Sequence, residues 1–254
     1  MILKTKVALI CNYLLPSLAD NLLRSAKWID EAGRRNVDLV CFGEYAFQGK
    51  EEDNYEKDFE MADTIRGHIT DRLCDLSKRN SLSIIAGILE RESKALYDSA
   101  VLINQDDIIL RYRRINPQWH GKDADKNLYR QGEEFRIAET MIGKIGTVIC
   151  GDFFDDSVLA KVRKAKPDYL IVPTAIAIAL FPSSYGDNAV EKWATYKNEC
   201  TDQAKNLGIN CMIVNSISGK EKGSHSGGAV IISKTGDILA ESEVGREAIV
   251  YYEW

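Results

Sequence analysis

The chain has few of the features that would place it in a specialised class. Its 254 residues include only five prolines and three histidines, with no low-complexity tract, no fixed-period repeat and no linker-like stretch. A collagen-like, coiled-coil or disordered chain is thereby excluded. Positive charge is not in excess: 33 Lys and Arg stand against 38 Asp and Glu, a net charge of −5, which disfavours a nucleic-acid-binding surface. The small basic cluster Arg111, Arg113 and Arg114 reads instead as a site or a solvated edge. Long apolar runs are missing as well. The longest, Ile171 to Phe181, is too short to cross a bilayer and holds Pro173 and Thr174, so no membrane partner is expected. The start, Met-Ile-Leu-Lys-Thr-Lys, leads into only five apolar residues before Asn12, so no secretory core is read there. The six cysteines (11, 41, 74, 150, 200 and 211) never fall in CxxC spacing and read as reduced thiols of a cytoplasmic protein. Histidines 68, 120 and 225 are far apart and form no ligand pair with cysteine, so no metal site is expected.

What is present is an ordinary globular balance, 45% hydrophobic and 28% charged. It is read as one domain over residues 1–254 with material for a large core. Lys4–Cys11, Val37–Gly43 and Leu82–Leu89 are apolar runs of strand length. Between them, Leu18, Leu22, Ala26 and Ile29, then Met61, Ile65, Ile69, Leu73 and Leu76, recur at helical spacing. Leu96–Ile103 and Ile108–Arg113 flank the turn Asn104-Gln105-Asp106-Asp107, which predicts a hairpin. A long polar loop follows over Asn116–Gly132. The spacing then predicts a strand over Ile142–Cys150, a helix over Asp156–Lys164, a strand over Tyr169–Val172, a helix over Ala189–Leu207 and a strand over Ile209–Asn215. A second hairpin (Gly227–Ser233, Asp237–Ala240) and a last strand (Arg246–Tyr252) complete an α/β pattern with mixed sheets.

Glu44, Arg114 and Cys150 each stand at the end of an apolar strand run, where functional groups of α/β sheets collect. A carboxylate there can take a proton, a thiol can attack, and a fixed cation can stabilise a thiolate or an oxyanion. Each also has a plain alternative: a small core residue for Cys150, a cap for Glu44, an edge-strand charge for Arg114. Cys11, Cys41 and Cys211 are assigned to the core. His120 or His225 beside a cysteine would make another dyad, although His225, in a Gly-rich loop, reads more simply as a solvated side chain.

The surrounding words VDLVCFGEYAFQG, YRRINPQW, and IGKIGTVICGDFF followed by PDYLIVPTA resemble the triad segments of the nitrilase, or carbon–nitrogen hydrolase, superfamily. QAKNLGINCMIVNS (203–216) and GGAVIISKTGDILAE (227–241) are similar to its late helix–strand junction and late hairpin. The resemblance runs from about Lys6 to the C-terminus. It implies an α-β-β-α sandwich of two mixed sheets with helices outside, associating into a homodimer or larger homo-oligomer. It also implies Glu44 as general base and Cys150 as nucleophile. Position 114, where the family has lysine, reads arginine. A second family glutamate is not evident before Gly132; Asp123, Asp125 and Asn127 are the nearest polar candidates, and Gln203 stands where the family has arginine.

The implied substrate is a small amide or N-carbamoyl compound, cleaved through a Cys150 thioester without a cofactor. The side chain at 114 and the Gly151 N–H would hold the oxyanion, and Trp119, Trp193, Phe153, Phe154 and Phe181 are candidate pocket walls. Arginine keeps the charge of lysine and not its shape. Losing one well-aimed oxyanion donor costs about 3–4 kcal/mol, a hundred- to a thousand-fold in rate. Lys122 is a candidate replacement ammonium. Two classes therefore stay open: a thiol amidohydrolase with an altered oxyanion site, or an impaired member that binds a ligand or partner.

Overall fold

The computed structural model describes residues 4–49, 54–119, 124–176, 189–218 and 225–254. From the N-terminus it runs β1 (Lys6–Cys11), β2 (Tyr13–Leu14), α1 (Leu18–Arg34), β3 (Leu39–Phe42), α2 (Tyr55–Met61), α3 (His68–Asn80), β4 (Ser83–Glu92), β5 (Ala95–Asn104) and β6 (Asp107–Arg113). It continues through β7 (Ile137–Thr140), β8 (Gly143–Thr147), a 3-10 turn (Cys150–Phe154), α4 (Asp156–Ala165), β9 (Tyr169–Thr174) and α5 (Ala189–Leu207). The last strands are β10 (Asn210–Asn215), β11 (Ile217–Ser218), β12 (Ala229–Ile232), β13 (Ile238–Glu241) and β14 (Ala248–Glu253). One six-stranded sheet has the order β14-β1-β3-β4-β5-β6 and the other β13-β12-β10-β9-β8-β7. Both mix parallel and antiparallel pairs.

The period of two along each strand builds the layers. In β1, Val7, Leu9 and Cys11 face the space between the sheets, while Ala8 and Ile10 pack under the helices. The same division separates Leu39 and Cys41 from Val40 and Phe42 in β3, and Met212 and Val214 from Cys211 and Ile213 in β10. Strands buried on both faces read as continuous apolar runs for this reason. Helices α1 and α3 cover one sheet through Leu22, Ala26, Ile29, Ile69, Leu73 and Leu76; α4 and α5 cover the other through Val158, Leu159, Val162 and Trp193. Each large aliphatic side chain so buried contributes about 1.5–3 kcal/mol. The result is the expected α-β-β-α sandwich, and among the described residues no helix is long and apolar enough to cross a membrane.

Two expected elements differ. The helix read across Met61–Leu76 is two helices, because Asp63 turns back on the chain. Its carboxylate accepts the Thr64 and Ile69 amides at 2.8 and 2.7 Å, and a Cβ on Gly67 would meet it at 2.2 Å. The strand read to Cys150 stops at Thr147, and Cys150 opens the 3-10 turn.

Candidate active site

Glu44 follows β3 at its carboxyl end. Its amide donates to the Thr174 carbonyl at 3.3 Å, at the end of β9 in the opposite sheet. Gly87 on β4 lets this turn lie close: its N–H donates to Gly43 O at 3.0 Å, its carbonyl accepts from Ala46 N at 3.1 Å, and a Cβ there would stand 2.5 Å from Glu44 Cα. The Glu44 side chain is only 2% exposed.

Arg114 follows β6. Its N–H donates to Asp98 O at 2.8 Å and its carbonyl accepts from Gly132 N at 2.8 Å, so both strand-end backbone groups are held. The guanidinium Nη1 donates to Glu44 Oε1 at 2.9 Å and to Asp98 Oδ2 at 3.2 Å. Burial alone would weaken its hold on the proton, but the charges of Glu44 and Asp98 outweigh this and raise its pKa further. Nη2 lies against the Cys150 turn, 3.0 Å from where a Gly151 Cβ would be, and Nε has no hydrogen-bond partner among the described residues.

Cys150 takes a left-handed backbone, φ +47°, which costs a non-glycine residue about 1–3 kcal/mol unless its surroundings enforce it. Asp152 supplies that enforcement. Its buried carboxylate accepts from Tyr112 Oη (2.5 Å), Ile115 N (2.8 Å) and Asn116 N (3.0 Å), tying the Arg114 segment to the turn. Gln203 Nε2, from α5, donates to Phe153 O at 3.3 Å. Cys150 is half-buried, whereas the other five thiols are buried. Burial pushes Cys11 up to about 11 and Cys200 up to about 12, and raises Cys41, Cys74 and Cys211 as well.

Glu44, Arg114, Cys150 and Gly151 thus come together from both sheets. Phe153 is a core residue, and Phe154 is 38% exposed beside Tyr196, ring centroids 5.7 Å apart. Trp119 donates to Arg130 O at 3.1 Å and packs on Tyr129, while the exposed Asp125 holds its own turn through Asn127 N at 2.8 Å; neither contact reaches the Glu44–Arg114 pair. His225 is not solvated: it is fully buried, its N–H donating to Ser218 Oγ at 2.9 Å. His120, Lys122, Asp123 and Phe181 lie outside the described residues. Sequence reasoning passed over Asp98 and Tyr196. The signal for Asp98 was a lone acid in the buried strand ALYDSAVLIN. Tyr196 stacks on Trp193 one helical turn away, and its hydroxyl feels both Cys150 and Glu44. A separate cavity of about 650 Å³ lies on the Arg113 side, but its arginines are paired, Arg111 and Arg113 with Glu90 and Arg136 with Glu134.

The family model described as carbon-nitrogen hydrolase matches residues 6–253. A nitrilase from Pyrococcus abyssi is 31% identical over 163 residues, a stretch covering 61% of this chain and 61% of that protein. An omega-amidase from Xenopus tropicalis is 24% identical over 253 residues, 94% of this chain and 84% of its own. Among solved structures, a mutant of the amidase from Nesterenkonia sp. AN1 superposes with a TM-score of 0.77 at 15% identity, over 98% of this chain and 90% of that one. In that structure the acetamide moiety of fluoroacetamide is joined covalently to the active-site cysteine.

Proposed function

The chain belongs to the carbon-nitrogen hydrolase family, and from that premise we propose that it is a thiol amidohydrolase acting on a small amide or N-carbamoyl compound. Glu44 takes the proton of the Cys150 thiol as the sulfur attacks the carbonyl carbon. A base is needed because an ordinary thiol, with a pKa of about 8.5, is only a few per cent ionised near neutrality. The protonated Glu44 then gives its proton to the leaving nitrogen as the C–N bond breaks. It next accepts one from the water that opens the thioester, and that proton returns to the departing sulfur.

The negative oxygen formed on attack is met by the Gly151 N–H and by Arg114 Nη2. The observation carrying this reading is the division of labour within one guanidinium: Nη1 is committed to Glu44 and Asp98, while Nη2 lies at the nucleophile turn. An arginine held in this way can offer one aimed donor, as an ammonium would. The amide class is favoured by the omega-amidase relative and by the cysteine adduct of the structurally similar amidase. A homodimer or larger assembly in the cytoplasm belongs to the same proposal.

The test is fluoroacetamide labelling followed by peptide mapping, with ammonia release from a panel of short-chain amides. We expect one adduct, on Cys150, ahead of Cys74 and Cys200, and no turnover by Cys150→Ala. Labelling spread equally over the thiols, or turnover surviving in Cys150→Ala, overturns the reading.

A further inference from the structure

Glu44 and Asp98, 2% and 1% exposed, share one guanidinium nitrogen, at 2.9 and 3.2 Å. Closing on one nitrogen sets the two buried carboxyl groups side by side. Two carboxylates so placed repel when both are ionised, and one proton on the pair removes that repulsion. Asp98 is the member suited to keep it. Burial pushes its carboxyl well above the ordinary range, the charge of Glu44 pushes it further, and Arg114 opposes this only in part. Asp98 cannot swing away, because it lies within β5 opposite Leu89 of β4 and its carbonyl accepts the Arg114 amide at 2.8 Å.

We propose that Asp98 is a positioning residue of the site, donating its carboxyl proton to Glu44 and so holding that base ionised, aimed and balanced by Arg114. The inference rests on the reading of Glu44 as the base. Arg114 Nη1 then faces one negative charge instead of two. When Cys150 yields its proton to Glu44 the two carboxyls carry two protons; one leaves with the departing nitrogen, and the pair returns to one. Among the described residues, the titratable and charged groups gathered there are Glu44 from the turn after β3 and Arg114 from the end of β6, with Tyr45 and Cys150 facing the same guanidinium and Tyr196 of α5 facing Glu44. At alkaline pH the shared proton is lost, and Glu44 loses the donor that orients it.

Infrared spectroscopy of the full chain tests the proton directly, without any need for turnover. A protonated-carboxyl C=O band is expected at about pH 7, fading as the pH is raised and absent from Asp98→Asn. Asparagine keeps a neutral donor for Glu44 and an acceptor for Arg114, so kcat/KM of Asp98→Asn should stay within about tenfold of wild type and lose the alkaline decline, whereas Asp98→Leu should fall by about a hundredfold or more. The inference is overturned by a band in wild type that neither titrates nor differs from Asp98→Asn, or by an Asp98→Asn profile that keeps the alkaline limb. A band that behaves as expected in a protein that turns over no amide leaves the shared proton standing and overturns the hydrolase reading instead.

Discussion

Arg113 and Arg114 are neighbours in the chain and point to opposite faces of the same sheet edge, and their surroundings are built to different ends. Arg113 lies over the Tyr97 ring at 3.5 Å and meets Glu90 and Glu92, with Arg111 as a second cation. Glu90, 1% exposed, also accepts from Ser99 Oγ at 2.6 Å. Two arginines there answer two glutamates, and the buried acceptor is saturated. Across the sheet, Arg114 meets two buried acids through a single nitrogen, leaves its Nε without a hydrogen-bond partner among the described residues, and borders a half-buried thiol. A saturated cluster fixes structure. One that keeps a spare guanidinium donor beside a half-buried thiol is of the kind found where perturbed groups gather in functional sites.

The contrast breaks most sharply when the acids are neutralised. Glu44→Gln should lower kcat by about a thousandfold with little change in melting temperature, since it removes a proton acceptor. Glu90→Gln should do the reverse. Leaving the Arg113 charge incompletely answered should cost about 3 kcal/mol, a fall in melting temperature of roughly 6–12 °C, with near-normal turnover in the folded fraction. Paired melting curves and steady-state rates decide it, and equal effects on both readouts would dissolve the distinction. Arginine-to-lysine exchange sharpens the same comparison. Arg114→Lys loses the second nitrogen at Gly151 and should lose about a hundredfold in kcat/KM, while Arg113→Lys should stay within about threefold. A gain on Arg114→Lys would identify an impaired lysine site rather than an adapted arginine one. The smallest effect is on stability against pH. A carboxyl whose folded pKa is raised binds its proton more tightly in the folded state, so its contribution is fully present below the ordinary Asp range and is lost as pH climbs through the folded value. Asp98→Asn should therefore gain in melting temperature relative to wild type between about pH 5 and about pH 8; a constant offset would place Asp98 in the ionised form throughout.

Much of the sandwich was legible because its strands are buried on both sides. Runs such as Val7–Cys11 and Leu170–Pro173 are apolar throughout, so their length alone separates them from the amphipathic helices. The helix predicted through Met61 failed where a local polar interaction overrode apolar spacing: Ile65 fits the period, yet Asp63 caps the next helix and Gly67 admits it. At the site, Glu44, Arg114 and Cys150 could be picked out because each ends an apolar run at an open rim. Asp98 could not, since it is hidden inside a strand, sixteen residues from its arginine and fifty-four from Glu44, and periodicity carries no information about which buried acid meets which base. His225 was misjudged for a related reason. A Gly-rich word predicts exposure, but here Ser226 bridges to Ile217 of β11 and His225 is buried beside it.

The hydrogen bond from the Glu44 amide to the Thr174 carbonyl, 3.3 Å long, is a stitch between the rims of two separately paired sheets. Each sheet is internally stiff, while the seam between them is an apolar interdigitation of Leu9, Cys41, Ile171 and Met212. A repacked seam that lets one sheet slip past the other by about an ångström will retain its helices and its cooperativity, and will first betray itself as a Glu44 carboxyl out of register with the Cys150 turn, since misplacements of this size can cost about a hundredfold in rate. Catalytic rate is thus the finest available gauge of alignment in the interior of this sandwich.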